Sequence, residues 1–522
     1  MKRKLHNIML AGTGSDVGKS IIATGLCRIF LQDGYSPAPF KAQNMALNSF
    51  ATKDGLEIGR AQAVQAEAAG LACHTDMNPL LLKPQSDHTS QVVLNGKPIG
   101  SSSAYDYFRK EGKEELRAAV CQAFDRLASK YDPIVMEGAG SISELNLTES
   151  DIVNLPMAKY ANADVFLVAD IDRGGVFASA YGSIALQKPE YKNLIKGIII
   201  NKFRGDLRLF DSGKKILEDI CGIPVVGVVP YYKDIYIEEE DSVDLAAKSF
   251  SREQGKINVA VVLLRHISNF TDFNALERDP RVHLYYTSNT EDIKKSDIII
   301  IPGTKSTIDD LYELRRNGCA QAIIQAHRNG ATVLGICGGY QMMGTQVLDP
   351  DHIEGEIEML PGLGLLPVST KMTKEKTTRQ TRFTINHLQH SSQTQKFSGC
   401  QAPVCEESSL LTGYEIHMGE TTTNGEEIKP LAIMENGTPE GCFINQKCMG
   451  CYLHGILDNP SFTDFFLEPY KGKAESSPKP EDYTAFKQRQ YDLLADHLRK
   501  HLDLNLLYSI IKFNNSNKMI YK

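Results

Sequence analysis

The sequence predicts an α/β protein of two doubly wound domains, each built on a parallel sheet. Two series of short β-like runs, alternating with helical stretches, predict the sheets. A charged stretch with few apolar residues lies between the two series and is typical of a linker. A chain of 522 residues can bury more than one core. We therefore predict a first domain over 1–240, a linker over 241–256, a second domain over 257–462 and a C-terminal helical tail over 463–522.

The composition excludes several classes of protein. Lys and Arg number 57 against 64 Asp and Glu, and this net charge of −7 does not favour binding to nucleic acid. The longest apolar runs, such as 259–264, are shorter than the roughly 18 residues that a membrane span needs. Only Ile8-Met-Leu-Ala separates the basic start of the chain from a glycine-rich loop, so we predict no export signal. We expect a cytoplasmic protein without a membrane span.

The eleven cysteines are scattered and odd in number, which favours reduced thiols over a disulfide framework. Cys442, Cys448, Cys451 and His454 could also be a zinc site, since two residues separate the second and third cysteines. However, 449–453 reads as a strand, so Cys451 and His454 would point to opposite faces. The pattern favours buried, small apolar side chains over zinc ligands.

The strands follow one another in a regular order along the chain. In the first series, the β-like runs begin at Asn7, Pro39, Pro133, Asp164, Gly197 and Pro224. In the second series, they begin at Ile257, Val282, Ile298 and Ala331. The polar stretch 369–398 is either a pair of exposed strands with a long loop or partly disordered, and we favour strands joined by a mobile loop. After Tyr483, Leu493, Leu494, Leu498 and Leu502 recur near helical spacing, which predicts an amphipathic helix packed on one domain.

A glycine-rich loop, Gly12-Thr-Gly-Ser-Asp-Val-Gly-Lys-Ser, lies between the first strand and a helix. Backbone N–H groups of such a loop bind phosphate, Lys19 can reach the β and γ oxygens, and Ser20 can hold Mg²⁺. We expect Gly12, Thr13 and Gly18 to complete this nucleotide site. Five residues rather than four separate Gly12 from Gly18, and this longer form resembles the dethiobiotin synthetase group of P-loop enzymes. The resemblance implies a domain of that fold, which activates a carboxylate.

Further polar residues follow the strands of the first series, where open α/β sheets bind ligands. Lys41 could neutralise charge on the transferred phosphoryl group, although it could also be a surface lysine. Glu137, beside glycines, is well placed to complete Mg²⁺ coordination, and Glu57 is either a second metal ligand or an exposed helix residue. Asn201 resembles a base-reading element, but Arg204 replaces the aspartate that would select guanine. We therefore expect adenine, and ATP as the nucleotide.

The second half contains a cysteine at a sharp turn between a strand and a helix. The turn, Gly335-Ile-Cys-Gly-Gly, would present Cys337 near a helix N-terminus, which favours the thiolate. Gly303 follows a strand of its own, and its loop with the Gly338 amide predicts an oxyanion hole. His454 stands at the end of a later strand, where it is either the base or a core histidine.

Together these three elements resemble class I glutamine amidotransferases, which release ammonia from glutamine through a thioester. Most members of that class follow the histidine with Pro-Glu, whereas Gly455 and Ile456 stand here. This departure resembles the cobyrinic/cobyric branch, in which a Cys–His dyad operates without the glutamate. The resemblance implies a looser orientation of His454, with a backbone carbonyl or another side chain in the orienting role.

Five further stretches resemble the cobyric acid synthase family of the cobalamin pathway: Phe40–Ser49, Glu57–Ala68, Asp170–Ala178, Asn201–Asp206 and Gly413–Gly419. The resemblance spans about 3–505. It implies a glutamine-hydrolysing, ATP-dependent ligase that uses Mg²⁺ and amidates the b, d, e and g side chains of adenosylcobyrinic acid a,c-diamide. Within it, Asp170 and Asp172 could face the corrinoid or the acyl phosphate, or belong to a purely structural loop.

Two alternatives stay open at this point. The a,c-diamide synthase of the same pathway shares both halves but differs near Lys41. A noncatalytic P-loop partner with an inactive amidotransferase domain belongs to another class, and the intact pair of Cys337 and His454 counts against it.

Overall fold

The structure, a computed structural model, describes 4–84, 89–103, 113–238, 252–385, 410–425, 428–474 and 481–512. Contacts divide the chain into two compact units. The first unit comprises Met1–Ala46, Glu57–Glu238 and Thr484–Lys522, and the second comprises Leu47–Leu56 and Glu239–Tyr483. Most of the predicted linker, and the tail after Lys512, lie outside the described residues. The functional boundaries given above remain a prediction.

The strands of the N-terminal half have these bounds: β1 (Asn7–Gly12), β2 (Ala38–Phe40), β3 (Gln43–Met45), β4 (Ser49–Ala51), β5 (Glu57–Gly59), β6 (Leu80–Pro84), β7 (Thr89–Leu94), β8 (Lys97–Ser103), β9 (Ile134–Glu137), β10 (Ala163–Asp170), β11 (Ile195–Phe203) and β12 (Val225–Pro230). The helices are α1 (Lys19–Gln32), α2 (Arg60–Ala68), α3 (Lys113–Ala128), α4 (Leu155–Tyr160), α5 (Val176–Ala185), α6 (Pro189–Lys192) and α7 (Asp211–Cys221). Short 3₁₀ turns lie between them.

The main sheet of the first unit has the strand order β12-β11-β10-β1-β9-β2, with parallel neighbours. Its strands are apolar and buried on both faces, as expected for a parallel sheet covered by helices. From β1 the chain first goes to the edge strand β2, returns to β9 beside β1, and then crosses to β10 on the other side of β1. Such a reversal opens a crevice at the carboxyl ends of the strands. The glycine loop after β1 lies at that crevice.

The strands of the second half are β13 (Ile257–Val262), β14 (Val282–Thr287), β15 (Ile298–Ile301), β16 (Thr332–Ile336), β17 (Gln346–Leu348), β18 (Met359–Pro361), β19 (Val368–Ile385), β20 (Leu411–Thr423), β21 (Ala432–Met434), β22 (Pro439–Glu440), β23 (Cys442–Asn445) and β24 (Cys448–Cys451). Its helices are α8 (Asn274–Glu277), α9 (Thr290–Lys295), α10 (Thr307–Arg316), α11 (Cys319–Arg328), α12 (Gly338–Met343) and α13 (Pro460–Leu467).

A second sheet, β14-β13-β15-β16-β24-β23, forms the centre of the second unit. Its pairs are parallel except for the edge pair of β23 and β24. The predicted α/β class with two parallel sheets is therefore confirmed. Within the described ranges, no helix combines the length and the hydropathy that a membrane crossing requires.

The described part of the polar stretch, 369–385, lies in one strand, β19, whose partner β20 lies beyond the stretch in which we predicted a pair. β19 and β20 pair antiparallel in a separate sheet of the second unit. The loop that we predict within 386–398 lies outside the described residues. Segment Leu47–Leu56 of the N-terminal half also belongs to this unit: Gln380 donates a hydrogen bond to the carbonyl of Ala51 at 2.8 Å.

The last two helices, α14 (Tyr483–His501) and α15 (Leu504–Ile511), pack their apolar faces into the core of the first unit. Leu494 and Leu498 are fully buried against α1, where Gly25 leaves room for them. Leu493 is 37% exposed, so its predicted place on the apolar face is wrong. Consecutive residues of a helix point about 100° apart, and Leu494 occupies the buried direction.

Candidate active sites

The glycine loop opens directly onto α1. Gly18 caps the helix with φ of 94°, a left-handed conformation that favours glycine. A Cβ at Gly18 would also lie 2.0 Å from the Asn201 side-chain nitrogen. Thr13 donates its backbone N–H to Val168 of the neighbouring strand β10. The loop is thus fixed at both ends, with the first N–H groups of α1 open to a ligand.

Lys19 extends back over this loop from the first turn of α1. Its ammonium donates hydrogen bonds to the carbonyl oxygens of Gly14 and Gly140, both at 2.9 Å. Burial lowers the pKa of Lys19 to about 8, although the Glu137 carboxylate acts in the opposite direction. The lysine is therefore a preformed, poorly hydrated cation at the position where the loop would hold phosphates.

Glu137, at the end of β9, collects three donors. The Ser20 hydroxyl and the Lys41 ammonium both reach its Oε1 at 2.8 Å, and Gln65 donates to its Oε2 at 2.6 Å. Burial alone would raise the pKa of Glu137, but the charge of Lys41 and these hydrogen bonds outweigh it and lower the pKa. The carboxylate is therefore ionised, and it contacts Ser20 at the end of the phosphate loop. Lys41 is buried, so the alternative of a surface lysine is wrong.

Glu57 and Asn201 have contacts that their sequence context did not reveal. Glu57 is a buried strand residue whose carboxylate contacts Lys83 Nζ at 2.7 Å, so the alternative of an exposed helix residue is wrong. Asn201 is 5% exposed, and its amide nitrogen donates to the carbonyl of Val17 at 2.9 Å. That bond ties the loop to the end of β11. Metal binding by Glu57 and base contact by Asn201 stay predictions.

Asp170 and Asp172 lie at and just after the end of β10. The buried Asp170 carboxylate is 3.1 Å from Lys202 Nζ and accepts a hydrogen bond from the backbone of Asp172. The more exposed Asp172 pairs with Arg204 at 2.7 Å. These contacts fix the loop next to the crevice of the first sheet. Contact of either carboxylate with substrate remains a prediction.

Cys337 stands at the turn between β16 and α12. Its φ of 54° and ψ of −114° put a non-glycine residue in a strained conformation, as a nucleophile elbow requires. A Cβ at Gly339 would lie 1.9 Å from the carbonyl oxygen of Ile301, so only glycine fits there. The Cys337 sulfur lies 3.4 Å from the carbonyl oxygen of Ile416. The predicted elbow geometry is present.

The loop after β15 approaches the start of α12 closely. A Cβ at Gly338 would lie 3.2 Å from the backbone nitrogen of Thr304, and one at Gly303 would lie 3.3 Å from His454 Cε1. The carbonyl of Gly303 accepts a hydrogen bond from the Ser268 backbone, and the Thr304 hydroxyl donates to the Asp310 carboxylate. The structure therefore brings Gly303 and Gly338 together beside His454. The oxyanion hole formed by the Gly303 loop and the Gly338 amide stays a prediction.

His454 follows β24 and is 1% exposed. Its Nδ1 lies 2.7 Å from Asp272 Oδ2. Burial alone would lower the pKa of His454, but the charge and hydrogen bond of Asp272, together with the neighbouring Cys337 side chain, raise it to about 10. The ring therefore keeps a proton at neutral pH. The prediction that another side chain orients the ring is confirmed, because Asp272 contacts it. The predicted looser orientation is wrong, because this carboxylate is buried and fixes the ring.

Asp272 is the residue that sequence reasoning missed. It lies in the 3₁₀ turn Phe270–Phe273, downstream of β13, and it also accepts a hydrogen bond from the Gly455 backbone. The only signal for Asp272 in the sequence was its position as an acidic residue after β13. β13 belongs to the same sheet as the strands that precede Cys337 and His454, and ligands bind at the carboxyl ends of such strands. Gln65 was missed in the same way in the first unit.

The described residues contain no group of three or more side chains that could hold a metal through His, Cys, Asp and Glu. Burial raises the pKa of Cys442 to about 11 and that of Cys448 to about 12. Cys442, Cys448 and Cys451 are buried in the apolar core of the second unit. The described cysteines are free.

Comparison with known proteins agrees with both halves of this architecture. Residues 8–244 match the CobQ/CobB/MinD/ParA nucleotide binding domain, and residues 258–462 match the CobB/CobQ-like glutamine amidotransferase domain. A cobyric acid synthase of Bacteroides fragilis is 67% identical over 98% of this chain and 100% of its own length. The Phocaeicola vulgatus cobyric acid synthase is 66% identical over the same shares, and that of Syntrophobacter fumaroxidans is 46% identical over 97% of this chain and 98% of its own. The chain belongs to the cobyric acid synthase family, the ATP-dependent glutamine amidotransferase ligases of cobalamin synthesis.

Proposed function

We propose that this chain amidates the b, d, e and g carboxylates of adenosylcobyrinic acid a,c-diamide, using ATP, Mg²⁺ and ammonia released from glutamine. The observation that carries the proposal is the convergence of Ser20, Lys41 and Gln65 on the buried Glu137 carboxylate. A P-loop hydroxyl, a cation and a strand-end carboxylate on one point are the groups that phosphoryl transfer uses. Membership of the family supports the corrinoid as the acceptor.

Ser20 and Glu137 fit a magnesium ion. Their oxygens lie 2.8 Å apart at the mouth of the phosphate loop, and a hydroxyl with an ionised carboxylate suits this hard cation. When bound there, the metal neutralises charge on the β and γ phosphates. Glu57 remains the weaker candidate in this proposal, since its carboxylate contacts Lys83.

In the synthetase reaction, Gly12, Thr13 and Gly18 hold the loop whose N–H groups bind the phosphates of ATP. A carboxylate oxygen of the corrinoid attacks the γ phosphorus in line, and ADP leaves. Lys19 and Lys41 stabilise the charge that spreads over the transferred group. Ammonia then attacks the acyl phosphate and displaces phosphate, which gives the amide.

In the glutaminase reaction, the Cys337 sulfur attacks the carboxamide carbon of glutamine. The loop at Gly303 and the amide of Gly338 stabilise the oxyanion, and His454 donates its proton to the departing ammonia. Water then hydrolyses the thioester with His454 as base. Asp272 keeps the ring oriented and favours its protonated form.

Three smaller assignments complete the proposal. Asn201 lies beside the adenine ring, and Asp170 and Asp172 line the approach of the corrinoid or the acyl phosphate. The synthetase reaction belongs to the region 1–240 and the glutaminase reaction to 257–462.

The test is to supply the purified chain with glutamine, ATP, Mg²⁺ and adenosylcobyrinic acid a,c-diamide, and to count the amides on the product by mass spectrometry. We expect four new amides, one each at the b, d, e and g positions. Cobyrinic acid without amides serves as the alternative acceptor. If amidation occurs at the a and c positions of that acceptor and not on the diamide, the proposed substrate is wrong. Absence of both glutamine hydrolysis and amidation would indicate a noncatalytic protein.

A further inference from the structure

A short segment of the N-terminal half, Leu47–Leu56, is part of the second unit. The chain leaves the first unit six residues after Lys41 and re-enters it at Glu57. Phe50, within β4 of this segment, lies with its ring centroid 4.7 Å from that of Tyr414.

Tyr414 in turn holds the proposed glutaminase acid and base. Its ring stacks on the His454 ring with centroids 5.1 Å apart and planes 20° from parallel. The two backbones also exchange hydrogen bonds, from Tyr414 N to His454 O at 3.1 Å and from His454 N to Tyr414 O at 2.8 Å. Because His454 is buried, its orientation depends on this neighbour and on Asp272.

A second connection leads from the segment to the same histidine. The backbone N–H of Ser49 donates to Asn269 Oδ1 at 3.2 Å, and Asn269 Nδ2 donates to the Tyr414 hydroxyl at 3.3 Å. Asn269 caps the 3₁₀ turn that carries Asp272. The segment thus contacts both supports of His454, the stacked tyrosine and the turn that presents the aspartate.

Close packing fixes the segment on this unit. Ala51 is fully buried in an apolar cluster with Tyr414 and Ile416, and Phe50 packs against the same cluster. Ile416 is also the residue whose carbonyl lies 3.4 Å from the Cys337 sulfur. A displacement of the segment would therefore reach both members of the Cys–His pair.

We propose that Leu47–Leu56 is a positioning element of the glutaminase site, and that Phe50 and Tyr414 hold His454 in register with Cys337. The inference rests on the proposed function and adds positioning residues to it.

The experiment uses the full chain with Phe50→Ala. We expect kcat for glutamine hydrolysis to fall about 10- to 100-fold, with KM for glutamine little changed, because a displaced acid lowers the rate without removing substrate contacts. Ammonia-dependent amidation should keep its rate. Phe50→Tyr retains the ring and should restore kcat. Tyr312→Ala removes a half-exposed aromatic ring on α10 and serves as the matched control.

A wild-type kcat for glutamine hydrolysis in Phe50→Ala would overturn the inference. If Phe50→Ala melts at a lower temperature, Phe50→Leu provides the deciding test, since it keeps apolar volume but loses the ring. A reduced kcat in that variant supports the inference, and an unchanged kcat overturns it. The wild-type enzyme separates this inference from the proposed function. If the wild-type enzyme shows no glutamine-dependent amidation, the proposed function is contradicted. If the wild type is active and Phe50→Ala has the same kcat for glutamine hydrolysis, only the positioning role is contradicted.

Discussion

The His454 ring has three neighbours that are distant from it in the sequence. Asp272 contacts its Nδ1, Tyr414 stacks on its face, and Cys337 is close enough to raise the pKa of the ring. The Asp272 carboxylate orients the ring, a role that the sequence left to a backbone carbonyl or another side chain. The chain therefore contains a Cys–His–Asp arrangement in which the acid comes from before the nucleophile in the sequence.

Replacement of Cys337 by serine should abolish glutamine-dependent amidation and leave ammonia-dependent amidation intact. A serine hydroxyl does not ionise near neutral pH, so it cannot replace the thiolate as the nucleophile. The thiolate serves only to release nitrogen from glutamine, so the reaction with ammonia does not need it. Parallel assays with glutamine and with ammonium chloride measure the two rates. Equal loss with both nitrogen donors would contradict the division of labour between the two reactions.

His454→Asn should reduce glutamine hydrolysis by about 10²- to 10⁴-fold, the usual effect of removing an acid–base group. ATP binding should not change. Thermal melting provides the control, because a purely structural histidine would lower the melting temperature instead. Formation of the Cys337 thioester at the normal rate in the folded variant would show that the histidine is structural.

Asp272→Asn should shift the pH dependence of glutamine hydrolysis. The carboxylate is a main cause of the raised pKa of His454, about 10, so the ring stays protonated well above neutral pH. Without that charge the pKa falls, and the imidazolium is lost at lower pH. The alkaline limb of kcat/KM should therefore move to lower pH, while ammonia-dependent amidation keeps its profile. An unmoved alkaline limb would refute the role of Asp272.

The loop after β1 and the end of β9 form one site. Lys19→Ala or Glu137→Ala should remove amidation with either nitrogen donor, because both residues lie at the phosphoryl transfer. The measurement is product formation with glutamine and with ammonia. Normal turnover with ammonia in either variant would place the ATP site elsewhere.

β22 contributes a carboxylate that is costly to ionise. Burial raises the pKa of Glu440 from 4.5 to about 8, and nearby Glu415 adds to the rise while Arg379 opposes it. Because the pKa is higher in the folded chain, the contribution of Glu440 to stability is complete below about pH 4.5 and is lost as the pH rises towards 8. Glu440→Gln removes the ionisable group and therefore this loss of stability at higher pH.

The free energy of unfolding of Glu440→Gln, relative to wild type, should therefore increase between pH 5 and pH 8. Urea unfolding at both pH values measures the difference. A constant difference would show that Glu440 ionises as easily in the folded chain as in the unfolded one.

For the whole molecule, the sequence predicted both parallel sheets, because a strand buried on both faces leaves an apolar run such as Ile298–Ile301. Lys19 and Cys337 were predictable as site residues because glycines mark the turns in which they lie. Asp272 and Tyr414 were not predictable, because nothing local to either residue records which ring it meets. Only the folded chain brings them to His454.

The division of the chain into units was the least predictable feature. Leu47–Leu56 belongs with the second unit and α14 with the first, although each adjoins the other unit in the sequence. Apolar periodicity shows that a helix has a buried face, but it does not identify the partner. For α14 the partner is α1, as the contacts of Leu494 and Leu498 with Gly25 show.

Leu498→Ala should destabilise the first unit by about 2–5 kcal/mol, the usual cost of truncating a fully buried leucine. Loss of ammonia-dependent amidation on heating should occur at a lower temperature than in wild type. Leu493→Ala, at a partly exposed position of the same helix, is the matched control and should change little. Equal effects of the two substitutions would contradict the packing of α14 on α1.

The position of α14 also bears on how the chain is made. A ribosome delivers 484–512 only after the whole of the second unit, so the apolar face of α1 stays uncovered while 239–483 is being synthesised. At roughly 5–20 residues per second, that interval lasts about 10 to 50 s. During it, the nascent nucleotide-binding core exposes the surface that α14 later covers. A message truncated before codon 484 would therefore yield a P-loop domain that cannot close its core, and the ATPase half would mature last although it is translated first.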